Sequence, residues 1–167
     1  MPDLLTYRGA VYPWQCDHIG HMNVMWYVGK FDEATWHLFA QIGLTPSYLR
    51  ESGRGMAAVQ QNISYKRELL AGDIVEIRSR ILELRDKVLR FAHDMINVES
   101  GETAASCELT GVYLDRAARR SIAFEDKVRW PGAEVDGLGL TTSLSRHVLS
   151  YRPKRPLDDY SASGSVA

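Results

Sequence analysis

Residues 15–27 read QCDHIGHMNVMWY, and this stretch decides the fold. Its one carboxylate, Asp17, closes a run that is predicted to be a strand. Gly20 permits a turn where a Cβ would be costly, and Asn23 is a good N-cap for a following helix. The stretch therefore predicts a strand, a sharp turn and a helix start, with Asp17 beside unpaired backbone N–H groups.

The predicted turn has a chemistry that suits attack on a carbonyl carbon. The first N–H groups of a helix lack intrahelical partners, and the positive end of the helix dipole favours negative charge. A carbonyl oxygen at that position would be polarised while Asp17 attacked the carbon or activated a water. The alternative is that Asp17 and Asn23 only cap a turn, as Asp and Asn often do.

Composition and charge exclude several classes of protein. The 167 residues are 45% hydrophobic and 25% charged, which is enough for one domain with a core. A formal net charge of −1 argues against a nucleic-acid or membrane-surface binder. Cys16 and Cys107 are the only cysteines, and neither a signal-like apolar region nor an apolar run of about 18 residues occurs. We expect a cytoplasmic protein.

Hydrophobic spacing after the turn predicts one long helix. From Val24 onward apolar residues recur at steps of three and four, and Gly43 supplies a C-terminal stop. This helix would be roughly 28 Å long at 1.5 Å per residue. A second, mixed stripe on it contains Lys30 and His37, and this face is either solvated or meets a partner or substrate.

Alternating patterns predict an antiparallel sheet. A first strand is predicted over 7–15, with Pro13 marking an edge or bulge. A short helical piece follows around 46–51. Short turn sequences then separate four further predicted strands, at 56–66, 73–84, 88–98 and 103–115.

The composition changes after Trp130 to Pro, Gly, Ser and scattered Arg. About 35 residues with few apolar positions cannot bury a core alone. We expect residues 1–130 to form the domain and residues 131–167 to form a C-terminal extension, flexible or packed on a partner subunit.

Four fragments, in this order and spacing, carry a family resemblance: CDxxGHxNxxxY from Cys16, FDEA from Phe31, ISY from Ile63 and GD from Gly72. Over about residues 5–129 the chain resembles the hotdog-fold acyl-CoA thioesterases of the 4-hydroxybenzoyl-CoA thioesterase type, and it looks similar to the betainyl-CoA thioesterase branch. The resemblance implies an α+β single hotdog fold, a curved antiparallel sheet of about five strands wrapped around a long central helix.

The resemblance also implies the catalytic residues. Asp17 corresponds to the catalytic carboxylate, a nucleophile or general base, and the backbone N–H of Val24 polarises the thioester carbonyl. Further candidates are the helix cap Asn23, the neighbouring His21, and two residues further along the chain, Glu33 and Ser64. His21 either orients the turn or assists catalysis, and Glu33 either orders water near the partner subunit's catalytic acid or is a surface acid.

Candidate substrate contacts are basic and aromatic. The resemblance assigns CoA-phosphate contacts to Arg85 and Lys87, with Arg90 close by, although cations are also common at surface turns. Trp14, Trp26 and Tyr27 could form an acyl pocket for an aryl group or a quaternary ammonium. The alternative for these rings is core and interface packing.

We expect a homodimeric or homotetrameric acyl-CoA thioester hydrolase, since the fold's open sheet edge needs covering. The histidine spacing lacks a metal-ligand pattern, so we expect no metal and no cofactor, CoA entering as part of the substrate. Gln15, where many relatives carry a second acid, keeps open a non-hydrolytic acyl-CoA binding or sensing protein. A hotdog hydratase or dehydratase is the other alternative.

Overall fold

One antiparallel sheet curls around a long helix in the computed structural model, which describes residues 3–125 and residue 128. The strands are β1 (Leu4–Ala10), β2 (Arg54–Tyr65), β3 (Ile74–Leu84), β4 (Val88–Asn97), β5 (Thr103–Asp115) and β6 (Arg120–Ser121). The helices are α1 (Val24–Gln41) and α2 (Pro46–Glu51). This arrangement confirms the predicted α+β fold with a helix wrapped by about five strands.

The sheet order is β1-β3-β4-β5-β2, with the two-residue β6 paired to β5. The four predicted strands 56–66, 73–84, 88–98 and 103–115 are confirmed to within two residues at each end. β2 lies at one edge of this order, and the middle of the strand, 58–62, is exposed. One side of β2 therefore keeps unpaired backbone groups within the described part of the chain.

The prediction for the first strand was wrong in its bounds. β1 ends at Ala10, and Pro13–Gln15 form a single 3₁₀ turn instead of continuing the strand. Proline at the start of this turn has its φ fixed and lacks an N–H, which favours such a turn over a ladder position. Asp17 therefore follows a tight turn rather than the end of a strand.

The buried side chains form two clusters along α1. We call residues 11–24, which lead from β1 through the turn that carries Asp17 to the first residue of α1, the elbow. The elbow-end cluster lies along the first half of the helix and consists of Val11, Met22, Tyr27, Phe31, Ala34, Leu69, Val75, Ile77, Met95, Ala104, Ala105 and Cys107. The far-end cluster lies along the second half and consists of Leu38, Phe39, Ile42, Leu44, Leu49, Leu89, Phe91 and Tyr113. Gly43, at φ 89°, ends the helix as predicted.

A chain of buried polar groups crosses the core between β1, β3, β4 and α1. The Thr6 hydroxyl lies 2.5 Å from the Ser79 hydroxyl, which lies 2.6 Å from Nδ1 of His93. Nε2 of His93 lies 3.0 Å from Oγ1 of Thr35, and Thr35 donates to the Phe31 carbonyl. Because the Thr35 hydroxyl donates its one hydrogen to that carbonyl, it can only accept from His93. His93 therefore donates through Nε2 and accepts at Nδ1.

The expected extension at residues 131–167 lies outside the described residues, so the domain boundary stays a prediction. Within the described part of the chain, no helix is both long and apolar enough to cross a membrane.

Candidate active site

The turn that carries Asp17 folds back on itself. Asp17 donates its N–H to the His21 carbonyl at 3.0 Å and accepts from Gly20 N–H at 3.1 Å, and Cys16 pairs with Met22 across the turn. Gly20 has a φ of 95°, a conformation that glycine adopts without a steric cost. The predicted glycine turn is therefore present, and it sets the residues around Asp17 alongside the residues that lead into α1.

The Asp17 carboxylate has one engaged oxygen and one available oxygen. Oδ1 accepts the Ile19 N–H at 3.0 Å, which is the turn-capping bond that the alternative interpretation requires. Oδ2 accepts no hydrogen bond within residues 3–125, and the residue is half-buried. Capping the turn therefore fixes the direction of the carboxylate and leaves its second oxygen for another partner.

The start of α1 leaves one backbone N–H unused. Asn23 is the N-cap, as predicted: its Oδ1 accepts the Met25 N–H at 3.0 Å and its carbonyl accepts the Trp26 N–H at 2.9 Å. The intervening N–H, on Val24, has no partner in the described part of the chain. An orphan N–H at the positive end of a helix dipole can polarise a carbonyl oxygen.

Gln15 joins the turn to the helix start, a role the sequence did not reveal. Its carbonyl accepts the Asn23 N–H at 2.9 Å, and its side-chain oxygen accepts the Tyr12 N–H at 3.1 Å. The side chain is 7% exposed. In this structure Gln15 holds the backbone in place, so its position is explained without a second catalytic acid.

His21 lies on the second arm of the turn. It pairs through its backbone with Leu70, and its Nε2 lies 3.5 Å from an exposed carboxylate oxygen of Glu68. These contacts support the orienting role among the two considered. A direct part in catalysis stays a prediction.

Lys30 is a second residue that sequence reasoning undervalued. The residue is 3% exposed, and its ammonium donates to the Tyr7 hydroxyl at 2.9 Å and to the Ala10 carbonyl at 3.1 Å. The mixed stripe of α1 therefore faces β1 at this point, not solvent. The Tyr7 ring covers Gly9, where a Cβ would clash with the phenol oxygen. The end of β1, from which the elbow starts, is thereby fixed to α1.

The three candidate aromatic residues occupy different environments. Tyr27 is buried, donates to the Arg67 carbonyl at 3.3 Å, and burial raises its pKa to about 12. Trp26 packs partly buried against the elbow-end cluster. Trp14 is 67% exposed and stacks on Tyr12, with ring centroids 4.4 Å apart and planes 8° apart. Only the last of the three presents an open ring face.

The basic candidates lie at the other end of the helix. The turn 85–87 joins β3 to β4, next to Leu89 of the far-end cluster. Two of these basic residues contact the same carboxylate: Glu83 lies 2.6 Å from Arg85 and 3.7 Å from Arg90. The structure does not bring these cations to Asp17 within the described part of the chain.

The two remaining candidates are exposed. Glu33 lies on the outer side of α1, and Ser64 lies on the edge strand β2, paired in register with Ser106. Neither makes a side-chain hydrogen bond within the described residues that would link it to the elbow. Their assignment to the site stays a prediction that concerns the assembled protein.

A shallow groove of about 410 Å³ lies between β1 and the second half of α1, lined by Leu5, Thr6, Tyr7, Arg8, His37, Ala40 and Gln41. It is away from Asp17. No group of three or more His, Cys, Asp or Glu in the described part of the chain could hold a metal ion. The Cys107 thiol is buried, and burial raises its pKa to about 11, so it is a poor nucleophile.

The elbow combines three elements of acyl-transfer chemistry. Among the residues that the structure describes, it presents a carboxylate oxygen without a partner, on Asp17, and an orphan helix N–H, on Val24. It also has a backbone fixed by bonds from both arms of the turn. A carbonyl group between the two would have its oxygen polarised and its carbon open to attack by the carboxylate or by a water it activates.

Comparisons with known proteins agree with this chemistry. Residues 11–131 match the family model of the Thioesterase-like superfamily. The chain is 30% identical over 125 residues to a betainyl-CoA thioesterase of Pseudomonas aeruginosa, covering 75% of this chain and 79% of that protein. A gentisyl-coenzyme A thioesterase of known structure superposes with a TM-score of 0.67 at 27% identity, covering 74% of this chain and 98% of that one.

One relative is much longer than the matched region. The chain is 35% identical over 107 residues to an L-carnitine dehydrogenase/betainyl-CoA thioesterase of Agrobacterium fabrum. That alignment covers 64% of this chain and 22% of the relative. The chain therefore spans less than a quarter of that two-activity protein.

Proposed function

The chain belongs to the Thioesterase-like superfamily, and on that premise we propose that it hydrolyses acyl-CoA thioesters to free CoA and a carboxylic acid. Asp17 supplies the catalytic carboxylate, as nucleophile or general base, and the Val24 N–H receives the thioester oxygen. The names of the matched relatives support a small acyl group, with betainyl-CoA as the first substrate to examine.

One observation carries the proposal: in the described part of the chain, one oxygen of the Asp17 carboxylate and the first N–H of α1, the two groups that the reaction needs, accept or donate no hydrogen bond. Of the first three N–H groups of α1, those of Met25 and Trp26 are bonded to Asn23 and that of Val24 is not. The Asp17 carboxylate uses only Oδ1 to hold its turn. Both groups are therefore available to a carbonyl group bound at the start of α1.

The assembled protein completes the proposed site. The CoA phosphates are assigned to Arg85 and Lys87, and these side chains lie near the far end of α1 in the same chain. A helix of 18 residues is about 27 Å long. We therefore assign the phosphate contacts to a second copy, joined along the open edge of the sheet as a dimer or tetramer.

The test is release of thiol from a panel of CoA esters. Purified full-length protein is mixed with aryl, short aliphatic and trimethylammonium acyl-CoA esters, and free CoA is measured with a thiol reagent. We expect catalytic thiol release from at least one ester class. Product analysis by mass spectrometry identifies the free acid.

The two alternatives predict different results. A non-hydrolytic binding or sensing protein would bind the esters, as measured by calorimetry, without releasing CoA. A hydratase or dehydratase would change the absorbance of an enoyl-CoA and leave the thioester intact. Either result would contradict the proposed function.

A further inference from the structure

We propose that the stacked rings of Tyr12 and Trp14 select acyl groups that carry a quaternary ammonium. The proposal deepens and rests on the proposed function, because it concerns the acyl side of the same site. Three observations support it: the position of the two rings in the chain close to Asp17, their exposure, and the absence of Lys and Arg from residues 11–17.

The stack is held at the point where the thioester oxygen is assigned. Gln15, which follows Trp14, bonds through its carbonyl to Asn23, which precedes Val24. Trp14 is also three residues from Asp17, so the two Cα atoms lie at most about 11 Å apart. The backbone of Trp14 is therefore held within about 11 Å of the Asp17 backbone and next to a residue bonded to the start of α1.

A short cationic acyl group needs its recognition surface at this distance. In a betainyl thioester one methylene separates the ammonium nitrogen from the carbonyl carbon, so the cation must bind within a few ångströms of Asp17. Trp36, the other exposed tryptophan among the described residues, lies twelve residues along α1 from Val24, about 18 Å away. It is too distant to serve.

The ring geometry suits a soft cation. The planes are 8° apart and the centroids 4.4 Å apart, so each ring covers one face of the other and leaves its outer face open. Trp14 is 67% exposed and Tyr12 is 47% exposed. Indole is the strongest aromatic surface for a cation, and a methylated ammonium also buries apolar surface against it.

The segment that carries the stack is fixed, and the Lys30 ammonium at its start is engaged by the Tyr7 hydroxyl and the Ala10 carbonyl. Tyr12 N–H and the Gln15 side chain are bonded, and Gln15 N–H donates to the Tyr12 carbonyl at 2.8 Å. Residues 11–17 contain no Lys or Arg, and their one charged side chain is Asp17. A cation at the stack is therefore attracted by the ring and by the carboxylate together.

The experiment compares two substrates of the same shape. Betainyl-CoA carries a trimethylammonium, and 3,3-dimethylbutyryl-CoA carries a tert-butyl group in the same place without the charge. We expect Trp14→Leu to lower kcat/KM for the cationic ester by about 5- to 30-fold, the size of one or two cation–π contacts. For the neutral ester we expect a change of less than about twofold.

Matched variants separate ring chemistry from folding. Trp14→Phe keeps an aromatic face and should retain part of the preference, whereas Trp36→Leu removes an equally large exposed ring elsewhere and should leave both substrates unaffected. Replacing tryptophan by fluorotryptophans lowers the electron density of the ring without changing its shape. The preference for the cation should then fall stepwise in the wild type and stay constant in Trp14→Phe.

The other outcomes are distinguishable. Equal losses on both esters would overturn the proposal, because the ring would then serve general packing or stack on the adenine of CoA. A shift in oligomeric mass with no change in preference would also overturn it, because the stack would then be an interface between copies. A wild type that hydrolyses neither ester, nor any of the wider panel, would instead defeat the proposed function.

Discussion

The first residue of α1, Val24, keeps a backbone N–H without a partner in the described part of the chain, and the turn before it carries Asp17. Near the other end of the helix, Leu38 and Phe39 are buried in the far-end cluster. The elbow end is held by hydrogen bonds between residues two to eight apart in sequence, and by backbone pairing of His21 and Met22 with Leu70 and Leu69. The far end is held by contacts between residues such as Leu38, Leu49 and Leu89. Buried clusters anchor both halves of the helix, and the elbow end also leaves polar groups available to a ligand.

The largest expected effect separates activity from stability at the elbow end. Asp17→Asn keeps an oxygen that can accept the Ile19 N–H, so the turn and the free energy of unfolding should stay within about 0.5 kcal/mol of wild type. Loss of the carboxylate should lower kcat by about 10²- to 10⁴-fold. Thiol release and denaturant unfolding measure the two quantities. Turnover near the wild-type rate would remove Asp17 from the mechanism.

The converse substitution tests the far end. Leu38 is fully buried, and Leu38→Ala should lower the free energy of unfolding by about 2–5 kcal/mol through lost contacts and a cavity. Since the side chain is distant from the elbow, kcat per folded molecule should change less than twofold. A large fall in kcat without a loss of stability would show that the two ends are not separable.

The polar chain between the two ends predicts a pH dependence of stability. Burial lowers the pKa of His93 from 6.5 to about 4, an effect that the Asp94 carboxylate opposes and the Arg80 guanidinium reinforces. Below about pH 6.5 His93 binds a proton in the unfolded chain but not in the folded chain, so the free energy of unfolding falls as the pH drops towards 4. The accumulated loss is about 3 kcal/mol.

His93→Phe should remove this part of the pH dependence. The ring can keep its packing against Phe31 and Phe91, while Ser79 remains bonded to Thr6. Urea unfolding at pH 7 and at pH 4.5 gives the comparison, and exposed His18 replaced by Gln is the control. An unchanged slope in His93→Phe would assign the pH dependence to other groups.

The smallest expected effect concerns the helix cap. Asn23→Ala removes the acceptor of the Met25 N–H and should cost about 1 kcal/mol of stability. Because the adjacent Val24 N–H is the assigned oxyanion donor, kcat should also fall several-fold. Thr45→Ala removes the equivalent cap of α2, where Thr45 accepts the Tyr48 N–H at 3.2 Å. It should lower stability to a similar extent and leave kcat unchanged.

Local patterns were sufficient to predict the helix, its cap and most of the sheet. Asn23, Gly20 and Gly43 act on residues within a few positions of themselves, so their roles follow from the chain around them. Alternation and short turns gave the four later strands. The bounds of the first strand were wrong because Pro13–Gln15 close a 3₁₀ turn, which alternation alone does not distinguish from a strand.

What the sequence by itself determined is the elbow: a carboxylate, a glycine turn and a capped helix start are local features, and each is fixed by the stereochemistry of its own residues. Tertiary structure alone decided which polar groups are buried. Lys30 meets Ala10 across 20 residues and Ser79 meets Thr6 across 73, and no local pattern encodes such contacts. Only the curl of the sheet around α1 brings them together, because burial depends on how the whole chain packs.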